Sequence, residues 1–98
     1  MAERGVFAIM DLEWTSWEGT SQRRWSGPGM EIVQIGAVKL DASMPMAELA
    51  SFEVLVKPEK NPVLSGYFID LTGITNEDLG RDGIPLDEAV SRFAGFIV

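Results

Sequence analysis

Apolar residues fall into three short runs and then into a helical rhythm. Val6 to Met10 is continuously apolar and passes into Asp11-Leu12-Glu13-Trp14-Thr15, which predicts a strand buried on both faces whose far end turns polar. The stretch 16–29 holds Gly19, Gly27, Pro28 and Gly29 with Trp17, Trp25 and the pair Arg23-Arg24, and reads as a functional loop. Glu31 to Leu40 is rich in β-branched residues and ends at the turn-forming cluster Asp41-Ala42-Ser43, so a second strand is predicted there. Phe52 to Lys57 alternates with period two and halts at Pro58. That is a third strand, paired with the second as its hairpin neighbour.

After Pro62 the period lengthens. Leu64, Phe68 and Leu71 fall at i, i+4 and i+7 before Thr72-Gly73, which predicts a short helix with a glycine stop. Thr75 is placed to cap a second helix whose first turn holds Glu77 and Asp78, and Gly80 is expected to end it. Pro85, Asp87 and Glu88 open a third helix that lays Leu86, Ala89, Val90, Phe93 and Ile97 along one face. The order of three strands followed by helices predicts an α+β or α/β domain with a mixed sheet of at least three strands.

Composition narrows the chemistry. In 98 residues there is neither cysteine nor histidine, which excludes disulfides, thiolate zinc sites, imidazole bases and histidine metal ligands from these residues. Carboxylates remain for acid/base and metal work. The net charge of −7 disfavours a protein that holds nucleic acid by phosphate neutralisation alone, though a bound divalent cation reverses that locally. The N-terminal apolar run is too short for a signal or membrane segment, so a cytoplasmic address and no membrane partner are expected.

Asp11 and Glu13 stand two apart on the first strand and so project from one face, about 6 to 7 Å apart along the strand. Two such carboxylates suit Mg²⁺ or Mn²⁺, and two ions about 4 Å apart activate a water against a phosphodiester. With 15 acids in the chain a single D-x-E triplet proves nothing by its existence, and a solvated strand end is the other reading. Position favours neither outright: like charges at the end of an apolar strand need water or a cation. The remaining candidates have plain readings beside functional ones. Trp14 alternates away from the carboxylates, toward core or toward base stacking. Trp17 and Trp25 with Arg23 and Arg24 could stack on and steer a single strand, or merely cover the sheet. Glu31 reads as solvated or as an outer partner of the metals, Gly36 as a bulge or close backbone approach, and Lys57 and Lys60 as surface charge.

Four segments together carry a family resemblance: Phe7 to Thr15 with its D-x-E, Glu31 to Val38, Phe52 to Pro58, and Leu71-Thr72-Gly73-Ile74-Thr75. In this order they resemble the DEDD superfamily of 3′-to-5′ exonucleases, specifically its RNase T and histone-mRNA exonuclease-like group. The resemblance implies a ribonuclease-H-like mixed sheet with flanking helices, two divalent cations (Mg²⁺ or Mn²⁺), and a single-stranded RNA or DNA 3′ end as substrate. It implies that Asp11 bridges both ions and Glu13 binds one, and that Thr15, Leu71, Thr72 and Ile74 line the pocket of the terminal nucleotide. The family's later acids and its histidine base have no counterpart here. Residues 1–98 are therefore expected to be the N-terminal portion of one exonuclease domain, inactive alone and prone to self-association through the apolar face of the last helix. The alternative from another class is a non-catalytic nucleic-acid- or protein-binding module that retains the fold.

Overall fold

A computed structural model describes residues 5–17, 29–43 and 47–98. The anticipated loop residues Arg23, Arg24 and Trp25 lie outside them. The element order is β1 (Val6–Trp14), β2 (Ile32–Asp41), β3 (Ala47–Leu55), α1 (Gly66–Thr72), α2 (Asn76–Asp82) and α3 (Leu86–Ile97). The strands form one antiparallel sheet in the order β1-β2-β3. The expected mixed character is confined, among the described residues, to one parallel bridge, Val56 to Ile84. At the end of β2 the Asp41 carboxylate accepts from the Ser43 amide and hydroxyl, both at 2.9 Å, the Asx turn its sequence suggests.

β3 begins five residues before the predicted strand. Ala47 to Ser51 lacks β-branched residues, but pairing with β2 extends the strand regardless, with a register shift between Lys39 and Leu40. Cross-strand context outweighs propensity there.

β1 departs most from expectation. It is not buried on both faces: Val6, Phe7, Ile9 and Met10 are each about half exposed. β1 is an edge strand of the sheet among the described residues, and α3 packs over β2 and β3 instead.

The core has two parts. Val33, Leu64, Phe68, Ile74 and Leu79 form one cluster under α1 and α2. Ile35, Val54, Val56 and Ala89 form the other, with Leu12 and Phe93 packed against it. α3 is rotated from the anticipated stripe. Ala89, Phe93 and Phe96 face inward, the two rings 5.9 and 5.3 Å from Phe52, while Leu86, Val90 and Ile97 stay nearly half exposed.

The helix ends follow capping chemistry. Ser65 Oγ accepts from the Phe68 amide at 3.0 Å, and Gly73 closes α1 in the left-handed region at φ 78° with its N–H on the Ile69 carbonyl. Thr75 and Asp78 form a reciprocal capping box on α2. That helix runs through Gly80 and stops at Gly83, where a Cβ would lie 2.6 Å from the Leu79 carbonyl oxygen and 2.7 Å from Lys57 Cγ. Packing against the end of β3, rather than the first glycine met, sets the stop. Among the described residues no helix is long and apolar enough to cross a membrane.

Candidate active site on the first strand

Asp11 and Glu13 occupy the second half of β1, and the register pairs them with Gly36 and Gln34 of β2. Leu12 between them packs into the cluster under α3, so strand alternation turns both carboxylates to the opposite face. The like-charge problem is met by solvent: Asp11 is exposed and Glu13 half-buried. Immediately after Glu13 the register shifts, leaving Val33 as an extra residue on β2. Such a bulge increases the local twist and re-aims side chains, a device common beside active sites.

Two carboxylates offer hard oxygen donors of the kind Mg²⁺ and Mn²⁺ take. Their chemistry fits such a cation. Their number leaves most of its coordination shell to other ligands, because among the described residues no group of three or more acids, histidines or cysteines gathers in reach of one ion.

Of the other predicted site residues, Thr15 directly follows β1, while Leu71, Thr72 and Ile74 lie at the end of α1 and in the turn after it. Thr15 is buried, its amide donating to the Glu31 carbonyl at 2.8 Å and its Oγ1 accepting from the Glu31 amide at 2.9 Å. Thr72 Oγ1 donates to the Phe68 carbonyl and accepts from the Ile74 amide, and Ile74 is buried in the first core cluster. Leu71 is the residue of that turn with a free apolar surface, 66% exposed. The start of α1 is tied to the end of β1 by Ser65 Oγ, which donates to the Ser16 carbonyl at 2.6 Å. A shallow depression between these segments is lined by Thr15, Ser16, Trp17, Asn61, Leu64 and Ser65 among others. Trp14 is 42% exposed, on the face away from the carboxylates.

Glu31 has a role its sequence position does not announce. It is half-buried, and its carboxylate is held by backbone donors. Its carboxylate accepts from three successive amides, Glu59, Lys60 and Asn61, and from Asn61 Nδ2, at 2.8 to 3.1 Å. Those donors lie about 30 residues on, and as backbone amides they leave no mark in the sequence. Burial pushes the Glu31 carboxyl upward, but the Lys60, Glu59 and Asn61 donors together outweigh it and hold the group below the ordinary value of 4.5. A depressed pKa contributes stability that is present above the unfolded value and lost as pH falls through the folded one. Glu31→Gln is therefore expected to cost about 1 to 2 kcal/mol at pH 7, allowing for solvent access. Urea unfolding should show that gap closing in acid below pH 4.5; a gap independent of pH would contradict the clamp.

With this geometry in view, comparison with known proteins is decisive. Residues 8–98 match the RNase T exonuclease family. The chain belongs to that family. Its fold is the ribonuclease-H-like one of DEDD 3′-to-5′ exonucleases, as the resemblance implied. The nuclease domain of 3′hExo, a DEDDh family member bound to rAMP, superposes with a TM-score of 0.81 at 26% identity, over 94% of this chain and 43% of that one. A full-length 3′-exonuclease superposes with a TM-score of 0.82 at 25% identity, over 97% of this chain and 29% of that one. Among curated relatives, ERI1 exoribonuclease 2 of Danio rerio is 35% identical over 89 residues, and that of Homo sapiens 29% identical over 89 residues. This RNase T family chain spans 15% and 12% of their respective lengths. Exonucleases of the DEDDh group work with divalent metal ions.

Proposed function

We propose that the protein removes nucleotides from the 3′ end of single-stranded RNA or DNA by a two-metal mechanism, with Asp11 and Glu13 as carboxylate ligands. The observation that carries this reading is the pair of solvent-reachable carboxylates on one face of β1, beside a bulge, in a chain of exonuclease family and fold. Bound divalent cations would supply the positive charge that activates water and stabilises the leaving oxygen.

The chain's own residues hold and orient. Asp11 and Glu13 keep two negative charges on a rigid strand, so a cation meets a preorganised pair. Thr15 ties that strand end to Glu31 just before β2, Ser65 ties the residue that follows to α1, and Leu71 offers an apolar surface for a nucleobase. Support for an RNA 3′ end comes from the relatives: one solved neighbour binds rAMP and another recognises the 3′ end of a histone mRNA stem-loop. The net charge of −7 is compatible with a nucleic-acid substrate once cations occupy the carboxylates.

The matched stretch equals 43% of the solved nuclease domain, and within this reading further acids and a proton acceptor come from polypeptide outside these residues. The 98 residues alone are then inactive, and the half-exposed Leu86, Val90 and Ile97 of α3 give them a surface for self-association. Sedimentation should show mass rising with concentration; a monomer throughout would contradict that contact.

The function is tested by incubating a 5′-labelled single strand with the full-length protein and Mg²⁺. The expected product is a ladder shortened stepwise from the 3′ end and abolished by chelator. Binding without turnover would leave the non-catalytic module as the surviving reading.

A further inference from the structure

Gly36 sits in the middle of the central strand, where glycine forfeits backbone entropy and offers nothing to pack. The fold gives no steric reason for it. Its φ is not positive, both register shifts lie elsewhere, and among the described residues a Cβ built there would meet only the Asp11 carbonyl oxygen at 3.9 Å, an ordinary contact. The bulge anticipated at this position is absent. Gly83 shows the contrast, since a Cβ there would strike backbone at 2.6 Å.

What distinguishes position 36 is its company. It pairs with Asp11 on one side and with Glu53 on the other, and paired residues of antiparallel strands present their side chains to one face. In the adjoining row Glu13 pairs with Gln34, whose amide donates to Glu53 Oε1 at 3.1 Å and draws that carboxylate along the strand. Among the described residues no side chain beyond its chain neighbours comes within 4 Å of where a Gly36 Cβ would stand, which leaves a bare patch of sheet beside Asp11. Any side chain at position 36 would stand with its Cβ about 5 Å from that of Asp11, inside the patch.

We propose that Gly36 is a space-keeping residue of the site: its missing side chain leaves open the floor beside Asp11 through which a divalent cation reaches the Asp11 and Glu13 carboxylates. The proposal rests on the reading of those carboxylates as metal ligands. It makes a glycine that strand stability disfavours a requirement of the site.

The experiment is a Mn²⁺ titration followed by electron paramagnetic resonance on the full-length protein and its G36A, G36V, D11N and G95A variants, with thermal unfolding of each in the absence of metal. G95A controls for replacing an unobstructed glycine and should bind as the parent does. G36V should bind about tenfold more weakly or worse, on the scale of changes close around a metal site, with G36A between it and the parent. Unfolding midpoints of the Gly36 variants should equal or exceed the parent's. If D11N loses the ion while G36V binds as tightly as the parent, the Gly36 proposal falls and the carboxylate reading stands. If D11N binds like the parent, the carboxylate reading itself falls. Lower midpoints for both G36A and G36V would show that the fold needs the glycine, and would overturn the proposal.

Discussion

Asp11→Asn in the full-length protein is expected to lower the rate of single-strand digestion by about a thousandfold or more, equivalent to about 4 kcal/mol of transition-state stabilisation. The substitution keeps the shape and removes the charge. Asp11 is exposed on an edge strand of the described sheet, so the fold loses nothing when the carboxylate becomes an amide, and the unfolding midpoint should stay within about 0.5 kcal/mol of the parent's, as for surface substitutions generally. Loss of turnover with an intact fold marks a group that acts on the reaction. The measurement is a single-turnover time course in Mg²⁺ alongside thermal unfolding. Turnover at the parental rate would remove Asp11 from the site.

The second large effect concerns stability. Phe68→Ala should destabilise the domain by about 3 to 5 kcal/mol, the cost of a large cavity in a packed core. Phe68 is 1% exposed and lies among Val33, Leu64, Ile74 and Leu79, so it joins α1, α2 and β2. A domain of this size holds about 5 to 15 kcal/mol in all, and the variant should lose most of its cooperative unfolding transition at body temperature. Circular dichroism against urea is the readout. The loss would also free the turn Leu71 to Ile74, which α1 carries. A midpoint shifted by less than about 1 kcal/mol would mean that this cluster does not anchor the helices.

How far the sequence discloses this architecture depends on the range of the interactions that decide each part. β2, the Asx turn and the caps Gly73 and Thr75 are decided by neighbours a few residues away, and their residue types announce them. That Asp11 and Glu13 share a face was legible for the same reason, since two alternate positions on a strand must do so. β1 misleads because a continuous apolar run is equally compatible with a strand covered on both faces and with one left half exposed at a sheet edge. The rotation of α3 is decided by the Phe52 ring, which selects Phe93 and Phe96 over Val90 and Ile97; spacing alone leaves that choice open. Glu31 is the extreme case. Its partners at Glu59, Lys60 and Asn61 are backbone amides, which carry no residue signature, and only the folded chain brings them to it.

The site itself is best tested by a crystal structure of the full-length protein with Mn²⁺ and a nucleoside 5′-monophosphate, read by anomalous diffraction at the manganese edge. The account predicts manganese peaks at about 2.1 Å from carboxylate oxygens of Asp11 and Glu13, with the phosphate beside them. Manganese bound elsewhere, with the Asp11 and Glu13 carboxylates solvated, would contradict it.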